Sequence, residues 1–209
     1  MGERLAGGNV AIALLANTLA TGAALLALIL TFGSISGAHF NPAVTVVEAA
    51  QGRLSWGDAA AYLAAQVSGA FAGVAAAHAM FGLAVFTASR HVRNGGAQVF
   101  SESVATFGLL AVIAGCSRAR PSAVPYAVAS YIVGAYWFTA STSFANPAVT
   151  LARAATDTFA GIRPHDVPGF VGGQLAGAVA AAVLFRWLLP GAPPKQAAPA
   201  DVSADADRS

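Results

Sequence analysis

Long stretches without Asp, Glu, Lys or Arg constrain this sequence more than any other feature. A soluble protein carries about 25% charged residues, whereas this chain carries 10%. The charge-free stretches are 5–47, 59–89, 103–117, 121–152 and 167–185. A helix needs about 20 apolar residues to span a bilayer, and within lipid each backbone polar group must be hydrogen-bonded internally. The stretches therefore predict membrane-spanning helices.

Glycine, proline and charged residues divide the charge-free sequence into spans. Two stretches, 5–47 and 121–152, are too long for one span, so each must hold a second element as well. The end of the chain, 190–209, is rich in Pro, Ala and Asp and is predicted to be a disordered tail. The five predicted spans are Asn9–Thr31, Ala59–Ala84, Val99–Cys116, Ala123–Ala140 and Val167–Leu189.

An internal repeat organises these spans. Segment 36–50 aligns without gaps on segment 141–155, and the repeats around them are predicted to cover 1–84 and 99–189. Three predicted spans separate the two segments. Because three is an odd number, the segments enter the membrane from opposite faces, which makes the repeat inverted.

Each repeated segment contains the tripeptide Asn-Pro-Ala, at Asn41, Pro42 and Ala43 and again at Asn146, Pro147 and Ala148. Asn is a favoured N-cap and Pro is favoured at the first helical position, so each tripeptide predicts a helix start. A single copy would mean only a capped helix. Two copies in apolar, inverted repeats bring two helix N-termini together near the midplane, where non-helical backbone is tolerated if it lines a cavity. The pair predicts a channel.

Other functions have little support in the sequence. The net charge is only +2 and no Lys/Arg cluster suggests nucleic acid. Cys116 is the only cysteine, so an intrachain disulfide is excluded. The four histidines lack metal-ligand spacing, and the predicted spans hold no nucleophile–base pair, so we expect no metal, no cofactor and no enzyme activity.

The segment 36–45, together with Gln66, Glu102 and Gln174, resembles the major intrinsic protein family of aquaporins and aquaglyceroporins along nearly the whole chain. The resemblance implies an all-α membrane protein with an inverted repeat over 1–189, which would hold five spanning helices and two re-entrant half-helices. It also implies a homotetramer of multi-pass subunits in the lipid bilayer of the inner (plasma) membrane, open to passive flow.

The full family fold has six spans, and the first repeat here lacks a counterpart of its first helix ahead of Asn9. The expected explanations are a start codon placed too far downstream or a truncated gene product. A truncated, non-conducting fragment is therefore the alternative to a working channel.

The resemblance also assigns residues to the pore. Asn41 and Asn146 would offer amide N–H groups to a passing oxygen, and Glu102 would support the pore-lining loops. Backbone carbonyls would form an acceptor ladder from Gly37, Ala38 and His39 on one side and from Ser143, Phe144 and Ala145 on the other.

Four positions would line the constriction that selects the solute: Thr21, Gly134, Ser143 and Val149. Val149 stands where most family members have Arg, so a wide, neutral filter is expected that passes glycerol, urea, metalloid hydroxides such as arsenous acid, and water. The segment 141–150 resembles a bacterial subgroup often found beside arsenic-resistance genes. Arg153 could replace the absent cation, but it starts about 6 Å further along the half-helix, and both Arg153 and Glu48 are expected to extend outward.

Overall fold

The computed structural model describes residues 1–189 and contains no β-strand in that range. The predicted tail, 190–209, lies outside the described residues. Two 3₁₀ helices, Pro121–Ala123 and Pro164–Asp166, precede longer helices. The α-helices are α1 (Gly2–Leu5), α2 (Val10–Ser36), α3 (Pro42–Ala50), α4 (Trp56–Met80), α5 (Gly96–Ala119), α6 (Val124–Phe138), α7 (Pro147–Arg153) and α8 (Val167–Leu188).

Four of the helices are long and apolar enough to cross a membrane: α2, α4, α5, and α8 together with the 3₁₀ turn before it. Helix α6 corresponds to the fourth predicted span, Ala123–Ala140, but has only 15 residues. It is about 22 Å long at 1.5 Å per residue, shorter than the bilayer core of about 30 Å. It packs between α2 and α5. The all-α membrane fold is confirmed, with α6 as a short member of the bundle.

Capping sets the helix ends, and for this reason several differ from the predicted spans. Helix α2 continues past its predicted end until Gly37, which takes a left-handed φ of 68°. Helix α4 begins before its predicted start because the Ser55 hydroxyl accepts a hydrogen bond from the Asp58 N–H. The charge of Asp58 suggested a loop, whereas an acid in the first turn of a helix is favourable.

Small residues let two helix pairs, α5 with α8 and α2 with α6, approach closely. A Cβ added to Gly173 would lie 2.5 Å from the Val99 carbonyl oxygen, and one added to Gly177 would lie 2.1 Å from the Ser103 carbonyl oxygen. Backbone-to-backbone packing of this kind is typical of helices in lipid. At Gly22, where α2 meets α6, the nearest atom is instead in a side chain, because an added Cβ would lie 2.4 Å from Cγ2 of Val133.

Helix α4 differs from α8 in this respect. A Cβ added to Gly69 or to Gly73 would meet nothing within 4 Å. Within residues 1–189, neither glycine therefore lies in close contact with another helix.

The first half-helix, α3, is held by helices of the second repeat. Its apolar face packs on α5 and α8, so the two repeats interlock rather than lying side by side. The cluster contains Ala43, Val44 and Val47 of α3, Leu110 of α5, and Ala178 and Ala181 of α8.

Candidate functional site

The two Asn-Pro-Ala tripeptides each start a half-helix, as predicted. Asn41 and Asn146 have extended backbones, and proline occupies the first turn that follows each of them. The Asn41 Oδ1 accepts a hydrogen bond from the Ala43 N–H at 2.9 Å. The Asn146 Oδ1 accepts from the N–H groups of Ala148 and Val149 at 3.0 and 3.2 Å. The side-chain oxygen of each asparagine thus caps its own helix.

The amide nitrogens of the same asparagines join the two half-helices to each other. Asn41 Nδ2 donates to the Ala145 carbonyl oxygen at 2.7 Å, and Asn146 Nδ2 donates to the Phe40 carbonyl oxygen at 2.8 Å. An Asn amide has two N–H donors. One donor of each asparagine is therefore used across the repeat interface, and the other has no partner within residues 1–189.

The loop before the second half-helix is fixed by a buried acid. Glu102 is fully buried, and its carboxylate accepts hydrogen bonds from the N–H groups of Phe144 and Ala145, both at 2.8 Å. Gln174 Nε2 donates to the same carboxylate at 2.6 Å. Glu102 thus supports the loop that precedes α7 through three hydrogen bonds. Ser143 and Ala145 have φ values of 49° and 47°, a left-handed conformation that needs such external support.

The loop before the first half-helix is held differently. Gln66 Nε2 donates to the His39 carbonyl oxygen and, at 2.8 Å, to the Thr45 hydroxyl. The His39 Nδ1 is buried without a hydrogen-bond partner among the described residues. Glutamine therefore supports both half-helices, but a carboxylate supports only the second.

Some of the backbone carbonyls predicted to form the acceptor ladder already accept hydrogen bonds from within the protein. The carbonyl oxygens of His39 and Ala145 accept from Gln66 and Asn41, and that of Ala38 accepts from the Phe40 N–H. Among the described residues, no loop or side-chain hydrogen bond reaches the carbonyls of Gly37, Ser143 and Phe144. These three carbonyl oxygens of the predicted ladder therefore remain able to accept a hydrogen bond.

The four predicted constriction positions lie on the elements expected. Thr21 is on α2 and Gly134 on α6, whereas Ser143 precedes α7 and Val149 lies within it. The Ser143 hydroxyl is buried and has no hydrogen-bond partner among residues 1–189. A Cβ added to Gly134 would come no closer than 3.7 Å to another side chain, the Phe138 ring. The positions thus include a glycine and one hydroxyl, that of Ser143, without a partner in the described range.

The model of the major intrinsic protein family matches residues 3–140 of this chain, which is more than half of its length. The chain belongs to the major intrinsic protein family. The resemblance inferred from the sequence is thereby confirmed. Members of this family are channels and not enzymes, so the chain is a channel protein.

Relatives within the family include Aquaglyceroporin AqpS of Rhizobium meliloti (strain 1021). It is 59% identical over 184 residues, which cover 88% of this chain and 79% of that protein. Aquaporin NIP1-3 of Oryza sativa subsp. japonica is 35% identical over 165 residues, 75% of this chain and 57% of the rice protein. A probable glycerol uptake facilitator protein of Thermotoga maritima is 35% identical over 95 residues, 40% of this chain and 41% of that protein.

Near the four predicted constriction positions lie two residues that the sequence did not place there, Arg153 and Arg93. The Arg153 guanidinium was expected to extend outward, but it does not. Its Nη2 donates to the Tyr136 hydroxyl at 3.1 Å, and that hydroxyl lies 3.3 Å from the Thr21 hydroxyl. The guanidinium carbon also lies 4.3 Å from the centre of the Phe144 ring. Tyr136 carried no signal in the sequence beyond an aromatic in an apolar span.

Arg93 is the other unexpected neighbour, and it comes from the loop between α4 and α5. Its guanidinium is buried and donates to the carbonyl oxygens of Gly161, Ser141 and Phe159 at 2.8, 3.1 and 3.2 Å. Burial, together with the nearby positive charge of Arg153, lowers the pKa of Arg93 to about 10, so the residue remains charged at neutral pH. No periodicity in 83–95 could have indicated this path of the loop.

Proposed function

We propose that this chain forms a passive transmembrane channel for small uncharged solutes of the glycerol type. The observation that carries the proposal is the reciprocal hydrogen bonding of Asn41 and Asn146, which sets two helix N-termini against each other in an apolar bundle. A helix N-terminus carries about half a positive charge. Two such ends oppose the passage of cations, while the remaining amide donors bind solute oxygens.

The constriction favours solutes wider than water. Val149 in place of a long cationic side chain, and Gly134 in place of a bulky one, leave open space beside Thr21 and the unused Ser143 hydroxyl. A hydroxyl-bearing constriction of this width suits glycerol, urea and neutral metalloid trihydroxides such as arsenous acid. The similarity to a protein named an aquaglyceroporin and to a probable glycerol uptake facilitator supports the glycerol class, and a metalloid hydroxide remains our first choice of physiological solute.

The assembly we propose is a homotetramer in the inner membrane. Large apolar side chains are exposed along the spanning helices of the single chain, including Leu19, Leu28, Val179 and Val183. An apolar surface of this extent fits contact with lipid and with further subunits.

The direct test is a flux measurement with the full-length protein in proteoliposomes. Light scattering after an osmotic step with glycerol, and direct uptake of arsenite, should both be faster than in empty liposomes. A protein that inserts but passes neither solute would contradict the proposal and favour the non-conducting alternative.

A substitution at Val149 tests the filter assignment. Val149→Arg should narrow the constriction and reduce glycerol flux by about tenfold while reducing water flux less, since a long cationic side chain then fills the open space. The control, Val149→Leu, adds bulk without charge and should cost much less. If the ratio of glycerol flux to water flux is the same in all three proteins, Val149 is not part of the filter.

A further inference from the structure

The direction of the Arg153 side chain follows from helix geometry. Arg153 lies four residues after Val149, so both project from the same face of α7. The Cα–Cβ bond of a helical residue tilts toward the N-terminus, and an arginine side chain is about as long as one helical turn is high. The guanidinium can therefore return to the level at which Val149 leaves space. The rise along the helix axis, which alone suggested that Arg153 starts too far away, takes no account of this tilt.

The contacts of Arg153 place its guanidinium beside the constriction. It donates to Tyr136 of α6, and through that hydroxyl it is joined to Thr21. It also stacks on Phe144, the residue that follows Ser143. Thus two of the four constriction positions, Thr21 and Ser143, have a neighbour that contacts this guanidinium.

The charge of Arg153 is not neutralised. Within residues 1–189, no carboxylate lies within ion-pair distance of its guanidinium. The position aligned with it in the first repeat, Glu48, behaves in the opposite way, because it pairs with Arg53. Arg93 is a second cation beside Phe144, since its guanidinium carbon lies 5.0 Å from the centre of the Phe144 ring. The Glu102 carboxylate, which is bound to the Phe144 N–H, offsets only one of these two positive charges, so this side of the constriction carries net positive charge.

We propose that Arg153 supplies the positive charge and the hydrogen-bond donors of the constriction, reaching back along α7 into the space that Val149 leaves. Tyr136 is the positioning residue that holds the guanidinium there. A guanidinium has five N–H donors, and among the described residues only one of them has a partner, so the others are available to solute hydroxyls. The proposal rests on the channel function above and changes its filter from wide and neutral to wide and cationic.

A pair of fluxes in the same proteoliposomes tests this role. In the parent protein, glycerol should pass and methylammonium ion should not. Arg153→Gln should raise the ratio of methylammonium leak to glycerol flux by about tenfold or more, because a partly buried charge acts strongly on ions in a low dielectric. Arg153→Lys should retain most of the exclusion, and Tyr136→Phe should give a partial leak.

Arg90→Gln is the matched control. It removes one positive charge from the same end of the bundle, but the Arg90 side chain is exposed and pairs with Asp157. Its methylammonium leak should equal that of the parent protein.

A double variant provides the second arm. Val149→Arg combined with Arg153→Gln moves the cation to the other position and should restore exclusion of methylammonium. If Arg153→Gln conducts glycerol and its methylammonium leak is no larger than that of the parent protein, the proposal is overturned although the channel function stands. If the parent itself passes no glycerol, the channel function fails and the role of Arg153 fails with it.

Discussion

The two half-helices begin with the same tripeptide but are held by different supports. Around the second, Glu102 accepts hydrogen bonds from two backbone N–H groups and from a glutamine amide. Arg93 donates to carbonyl oxygens of the loop that precedes this half-helix, including that of Ser141. Around the first, Gln66 provides the side-chain hydrogen bonds. The capping geometry is thus encoded locally in Asn-Pro-Ala, whereas the rigidity of each loop depends on distant residues that need not repeat with it.

The largest expected difference between the halves concerns Glu102. Glu102→Ala would leave the N–H groups of Phe144 and Ala145 buried without an acceptor, at a cost of about 1–3 kcal/mol for each group. We expect a loss of about 3 kcal/mol or more in the free energy of unfolding, measured by denaturant titration in detergent with tryptophan fluorescence. Glycerol flux should fall with it. A variant as stable as the parent protein would show that the second loop does not need its acid.

The glutamines provide a matched comparison. Gln174 is fully buried and joins Glu102 to the Thr150 hydroxyl, whereas Gln66 is partly exposed. Gln174→Ala should therefore cost about 2 kcal/mol in the free energy of unfolding and Gln66→Ala about 1 kcal/mol. The same titration measures both. An equal or reversed order would mean that the first half-helix is held as tightly as the second.

The asparagines should differ less. Asn41→Asp and Asn146→Asp both keep a capping oxygen, since Asp is also a good N-cap, but both lose the amide donor across the interface. Asn41 is the more buried of the two, so its carboxylate is the costlier to desolvate. We expect Asn41→Asp to destabilise the protein by about 1 kcal/mol more than Asn146→Asp does. Indistinguishable unfolding curves would contradict this asymmetry.

The sequence predicts the repeated parts of this site better than the unrepeated ones. The helix starts at Asn41 and Asn146 follow from residue chemistry alone, because cap and first turn are adjacent in the chain. The reciprocal bonds to Ala145 and Phe40 were not predicted, since they depend on how two distant segments meet. Arg93 was also unpredictable in this sense, because its role comes from the path of an irregular loop.

Arg153 is an intermediate case. Its spacing from Val149 and the tilt of helical side chains were both available from the sequence. What the sequence could not provide was the partner, Tyr136, which lies on another helix and fixes the guanidinium in one of several possible directions.

The smallest expected effect concerns the outermost support of the second half-helix, where Arg90 meets Asp157. Hydrogen bonds from the backbone N–H and then from the guanidinium of Arg90 hold the pKa of the Asp157 carboxyl below its usual range. A lowered folded-state pKa stabilises the folded protein above the unfolded-state pKa, near 4, and this contribution is lost as the pH falls through the folded-state value. Lowering the pH from 6 to 3 should therefore slightly weaken the contact between segment 87–90 and segment 154–157. The measurement is amide hydrogen exchange at Thr87 and Ser89, which should become faster after correction for the intrinsic rate. Asp157→Asn should remove the acid-dependent part of that change, and no equivalent change is expected around the first half-helix at Asn41.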